Sequence, residues 1–141
     1  MVRPRLTTVA IILALLIAAV LWLKAEHTPV EAIKVAQTFI THLGEHEYPQ
    51  AYELTVRRAY VGTTANELAN ISKQQFCKVN HMVSTSPFQS NGNRLRRWLS
   101  EQEVEMPEIR VEFEGGACLL GVTVNNTAAG WRVSKFASHA G

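Results

Sequence analysis

From Leu6 to Leu23 the chain runs LTTVAIILALLIAAVLWL, 18 residues without a charge. A helix of about 20 apolar residues spans the roughly 30 Å hydrocarbon core of a bilayer, so this run is near full crossing length. Arg3 and Arg5 precede it, and basic residues ahead of a first span keep the N-terminus on the cytoplasmic side. Everything from Lys24 onward is then exported. The run is longer than the apolar stretch of most cleaved signals. The best cleavage position, after Ala25, would place Leu23 and Lys24 where small residues are preferred. Trp22, at the outer end, suits an interfacial anchor. The segment reads as a retained anchor over residues 6–23, behind a short cytoplasmic tail (residues 1–5). The alternative is a secreted protein cut near Ala25. No cysteine follows the run closely, which excludes a bacterial lipoprotein.

Residues 24–28 read as a linker and residues 29–141 as one small domain. Of the 14 Lys and Arg residues, Arg3 and Arg5 flank the anchor, and those that remain equal the 12 acidic residues in number. The exported part is neutral, so binding of nucleic acid by a broadly basic surface loses its support. All the acidic residues are glutamates; any reaction that needs an aspartate base, nucleophile or ligand is excluded. Two cysteines, Cys77 and Cys118, suit a disulfide in an oxidising compartment, closing a loop of about 40 residues for about 3–4 kcal/mol. Two buried free thiols are the alternative.

Thr28-Pro29-Val30-Glu31 is a helix start with a capping box. Val30, Ile33, Ala36, Ile40 and Leu43 then fall on one face, and Gly44 is placed to end the helix. A second helix is expected over about 47–58, with Ala51, Tyr52 and Val56 inward. Thr64-Ala65-Asn66-Glu67 opens a short third helix. Ser72-Lys73-Gln74-Gln75 opens a fourth, with Phe76, Val79 and Val83 on one face. Residues 84–93 read as a loop. Alternation of Ile109, Val111 and Phe113 with Arg110, Glu112 and Glu114 predicts a half-buried strand. Gly115-Gly116 marks a tight turn. Cys118, Leu120, Val122 and Val124 share a face of the next strand, residues 125–130 form a loop, and 131–136 form the last strand. The stretch 95–104 fits either period, and a strand is the expectation. Helices followed by an antiparallel meander give an α+β domain with helices on one face of a curved sheet.

Two segments, AQTFITHLGEHEYPQAYEL (36–54) and GVTVNNTAAGWRVSKF (121–136), resemble the opening helices and closing hairpin of nuclear transport factor 2-like domains. The resemblance covers about residues 29–137 and implies a helical lid over a cone-shaped sheet. It places Cys77, expected on a covering helix, near Cys118 on the sheet face. It also implies a pocket lined by Phe39, Phe113, Leu120 and Val122. Catalytic members of that superfamily use a carboxylate or an Asp–His pair; this chain has no aspartate, and Glu112 and Glu114 read as outward. A comparable tail, anchor and cone layout occurs in scaffold subunits of type IV secretion systems, from which no residue is carried over.

His42-Leu43-Gly44-Glu45-His46 matches the inverted zinc-peptidase pattern H-x-x-E-H. Gly44 sits where the helix is expected to stop, which would keep the two imidazoles off a common face, so neither a metal nor a catalytic site is assigned. Arg94, Arg96, Arg97 and Trp98 form the one basic cluster after the anchor. Its arginines suit anionic headgroups or an acidic protein, and Trp and Arg are enriched at interface centres. The expected function is a non-catalytic module of the bacterial inner membrane. It needs no cofactor and uses its periplasmic domain for contact with a protein partner or a second copy. The alternative is a carrier holding a small apolar ligand in the cone.

Overall fold

The structure, a computed structural model, describes residues 4–140; Met1, Val2 and Arg3 of the expected cytoplasmic tail, and Gly141, lie outside the described residues. In chain order the helices are α1 (Pro4–Lys24), α2 (Val30–Gly44), α3 (Tyr48–Glu53), α4 (Ala65–Gln75) and α5 (Asn91–Leu99). The strands are β1 (His81–Ser86), β2 (Glu108–Gly115), β3 (Cys118–Thr127) and β4 (Gly130–Ala140). Two compact units emerge: one holds α1 and Phe88–Val104, the other Pro29–Pro87 and the chain from Glu105 on. The second unit is α+β, with its strands in the antiparallel order β1-β2-β3-β4.

Alternation puts Ile109, Val111 and Phe113 of β2 and Leu120, Val122 and Val124 of β3 on one buried face. Helix α2 seals that face with Ala32, Ile33, Ala36, Phe39 and Leu43. The inward stripe is therefore shifted from the expected one. Phe39 replaces Val30, which is exposed, because the sheet offers a seat for an aromatic ring. Phe39 meets Phe136 edge to face, with ring centroids 5.3 Å apart, and full burial of one such side chain contributes about 2–3 kcal/mol. Val133 and Phe136 both point inward although three residues apart. A register shift opposite Thr123/Val124 allows it by giving β4 one extra residue. Strand β4 also runs past the expected end at Phe136, because β3 continues to pair with it as far as Ala140.

Several expectations for the helical half are corrected. Thr28 does not cap α2; Pro29 occupies the cap position, without a side-chain hydrogen bond. Helix α2 passes through Gly44, and His46 takes the left-handed conformation (φ 60°) instead. His46 N–H bonds to the Leu43 carbonyl and Glu47 N–H to that of His42, a Schellman ending. Gly44 lies beside the Phe76 ring, which a Cβ there would touch at an ordinary 3.7 Å. Helix α3 is half its expected length. Ser72 is a buried interior residue of α4 rather than a cap. The expected fourth helix is replaced by extended chain, because Cys77 forms a disulfide with Cys118 and Asn80 N–H already bonds to the Glu114 carbonyl. Residues 81–86 are strand paired to β2, where the end of the fourth helix (to Val83) and the start of a loop (from Ser84) were expected. Their polar composition hid them, since an edge strand needs few apolar residues.

Thr64 caps α4 as expected, accepting from Glu67 N–H at 3.2 Å. The Glu67 carboxylate reaches one residue further back, accepting from both the N–H and the hydroxyl of Thr63 at 2.7 Å. The Thr63 N–H, and then its hydroxyl, hold this carboxyl below its ordinary value. A depressed folded-state pKa means the stabilisation is complete above the ordinary glutamate value of about 4.3 and is lost as pH falls through the lower folded value. Glu67→Gln is expected to lower the melting temperature at neutral pH and to match wild type in strong acid. An equal deficit at every pH would refute this cap. Replacing both Cys77 and Cys118 by serine is expected to cost about 3–4 kcal/mol in urea unfolding, from the entropy of the released loop.

Candidate functional site

The basic cluster lies on α5, a helix where a strand was expected. Ser90 caps it by accepting from Asn93 N–H at 3.2 Å. Glu101, left-handed at φ 55°, ends it, with Gln102 N–H on the Arg97 carbonyl and Glu101 N–H on that of Trp98. These local hydrogen bonds outweigh the strand reading. Leu95, Trp98 and Leu99, three or four residues apart, share one face, and Trp98 and Leu99 are 64% and 68% exposed. Arg94, Arg96 and Arg97 flank and oppose that face. Arg97 Nε donates to the Glu103 carbonyl at 2.6 Å, and Arg96 is exposed.

Helix α5 is built onto the end of α1. A helix leaves its last carbonyls without internal partners, and here the chain around residue 90 supplies donors. Asn91 Nδ2 donates to the Trp22 carbonyl at 3.1 Å and Asn91 N–H to that of Ala25 at 3.0 Å. Glu26 and Ser90 form an antiparallel bridge, with His27 N–H on the Gln89 carbonyl at 2.8 Å. Gly92 permits the approach, since a Cβ there would lie 3.0 Å from the Leu23 carbonyl oxygen. Asn91-Gly92 reads as a turn signal in sequence; nothing local betrays that it docks on a helix some 70 residues earlier. From Arg5 to Trp22 every residue of α1 is exposed. An apolar helix covered by nothing fits a membrane anchor or a signal sequence.

In the α+β unit, Phe39, Phe113, Leu120 and Val122 are buried in one packed cluster. Of these, Phe113 also borders a surface groove of about 520 Å³ between α2 and the chain at 76–82, where Ile40, Phe76 and Met82 are joined by Gln37, Lys78 and Asn80. In the H-x-x-E-H segment the histidines part as the helix ends. His42 Nδ1 donates to Glu47 Oε2 at 2.6 Å, while His46 Nδ1 meets the Tyr48 hydroxyl at 2.9 Å. Potential ligand atoms of His42, Glu45 and Glu47 lie within 4.8 Å of one another. The His42–Glu47 pair bridges the Schellman turn and accounts for that proximity without an ion.

The other sheet face carries a polar row across all four strands. Ser84 donates to Glu112 at 3.2 Å, Arg110 Nε donates to Glu112 Oε1 at 3.0 Å, and Arg110 Nη2 donates to His139 Nε2 at 3.1 Å. The guanidinium crosses β3 over Gly121, where any Cβ would collide with it. Parity reveals that Arg110 and Glu112 face outward, but the passage of the guanidinium over residue 121 is a tertiary fact. Among the described residues β1 pairs with β2 alone, leaving its outer edge open, with Val83 half exposed.

Compared with known protein families, characterised proteins and solved structures, the chain matches none significantly. The junction of α1 and α5 can be tested directly. Gly92→Val is expected to wedge the two helices apart. Amide exchange at His27 and Asn91 in detergent-solubilised protein should then accelerate about tenfold, the effect of losing about 1.4 kcal/mol of local protection. Unchanged exchange at both amides would refute the docking.

Proposed function

We propose that the chain is a single-pass protein of the bacterial inner membrane. Its α1 is a retained anchor, and its α+β unit works in the periplasm as a non-catalytic protein-contact module. The observation that carries this reading is the bonding of α5 to the last carbonyls of α1. Cleavage after Ala25 would remove the helix on which Phe88–Val104 is assembled. The basic residues Arg3 and Arg5 before α1 and the Cys77–Cys118 disulfide support export of the chain beyond Lys24. A helix, a break and a short second helix ahead of an antiparallel meander accord with a nuclear transport factor 2-like cone. The cone interior is filled by Phe39, Phe113, Leu120 and Val122, which favours a surface function over the carriage of an apolar ligand.

The open edge of β1 is the contact surface in this reading. Unpaired N–H and C=O groups along a strand edge accept a further strand from another chain. The test places a photo-crosslinking amino acid at Val83 of the full chain in intact cells, with Val30, exposed on α2, as control. A discrete adduct from position 83 and none from position 30 is expected. Its absence, together with a small apolar molecule retained by the purified protein, would replace the module with a carrier. On the same blot the uncrosslinked chain should run at its full 15.7 kDa in the membrane fraction and resist alkaline extraction. A lighter, soluble band would overturn the anchor.

A further inference from the structure

We propose that α5 is a membrane-surface helix that lies in the headgroup layer of the leaflet where α1 ends, its apolar face toward the acyl chains and its arginines on anionic lipid phosphates. This rests on the reading of α1 as a retained anchor, and goes beyond it by assigning the Arg94–Trp98 cluster to lipid rather than to a protein partner.

Continuity with the anchor is the first argument. Asn91 and Gly92 lie against Trp22 and Leu23, in the last turn of α1. A helix rises 1.5 Å per residue, so all of α5 lies within about 13 Å of that turn, whichever way it points. Polar headgroup zones are about 5–8 Å deep on each side of a core of about 30 Å. If α1 spans, the first turn of α5, at Asn91 and Gly92, is at the boundary, and the rest of the helix stays in or beside the headgroup layer when it lies along the surface.

Amphipathic chemistry is the second. Leu95, Trp98 and Leu99 form a contiguous apolar face. Phe88, just before the helix, is also largely exposed. Such a face in water would be costly, and at a bilayer surface it is the feature that binds. Tryptophan belongs at that depth, with its ring in the interface and its N–H in reach of polar groups. Charge is the third. From Phe88 to Leu99 there are three arginines and no acidic residue, the composition of helices that bind anionic lipid surfaces. Arginine also offers a fork of donors matched to phosphate oxygens. The acidic residues resume at Glu101, the left-handed residue that ends the helix.

The experiment uses the full chain reconstituted into vesicles of phosphatidylcholine with a minor fraction of phosphatidylglycerol. Trp22 and Trp131 are replaced by phenylalanine to leave Trp98 as the single fluorophore. A companion variant keeps Trp22 alone. Lipids brominated near the headgroup end of the acyl chain are the quencher. Trp98 is expected to emit at a blue-shifted wavelength and to lose about half its intensity to shallow bromines. Leu99→Glu, a change at an exposed position, should largely abolish that quenching. Replacing phosphatidylglycerol by phosphatidylcholine should weaken it. If Trp22 is quenched while Trp98 emits as in water and ignores the bromines, the lipid assignment is overturned and the anchor stands. If Trp98 is blue-shifted but unquenched, and reverts on dilution of the protein, the face is a contact between protein chains and the proposal is equally overturned. If Trp22 itself is not quenched, the anchor reading has failed first.

Discussion

The α+β unit depends on closure of one sheet face by α2. Phe39 is central to it, fully buried and edge-on to Phe136, and other features of the unit arise from accommodating that contact. The register shift at Thr123/Val124 turns both Val133 and Phe136 toward the helix. The His46 turn, with its Schellman bonds, ends α2 once Leu43 has been placed inward. The disulfide then ties the chain leaving α4 to the start of β3. Because this face is filled by side chains, function falls to the outer surfaces, among them the polar row on the other face, the groove beside Phe76 and the open edge of β1.

The unit of α1 and Phe88–Val104 is built on a different constraint, the unsatisfied carbonyls at the end of a long apolar helix. In water those groups would be solvated. At the boundary of a membrane they need protein or headgroup partners, and Asn91 provides two donors, one from its side chain and one from its backbone. The segment 88–104 interrupts the sequence of the α+β unit between β1 and β2, yet it bonds to the end of α1 and to Ala25 and His27 just after it. Such an arrangement makes the end of α1 a structural element of its own unit, and under the proposed reading it gives a physical reason for α1 to be kept.

Much of the fold was legible from local pattern. Alternation at 109–114 and 118–124 placed β2 and β3 on their correct faces, Gly115-Gly116 placed their turn, and Thr64 placed the start of α4. The pairing of Cys77 with Cys118 came from the resemblance and from two cysteines in a chain whose apolar start suggests an oxidising compartment. Misreadings cluster where a distant partner sets the conformation. Ser72 to Gln75 is a plausible cap in isolation, but the disulfide and the pairing of Asn80 hold the following chain extended. Residues 81–86 are polar and become a strand only because β2 offers hydrogen bonds. The stretch from 91 to 99 carries helical spacing in Leu95, Trp98 and Leu99 that the expected meander obscured.

By itself the sequence determined where charge and apolar surface lie along the chain: an uncharged run of spanning length, a following part with as many basic as acidic residues and no aspartate, and strands whose alternation fixes their faces. These are properties of residue order, and no folding can alter them. Tertiary structure decided which distant segments meet. It put Arg110 across Gly121, filled the space between α2 and the sheet with Phe39 and Phe113, and set the Arg94–Trp98 helix on the end of α1. The reason is that those contacts join residues tens of positions apart, through backbone hydrogen bonds and close approaches for which glycine and asparagine are permissive but not predictive.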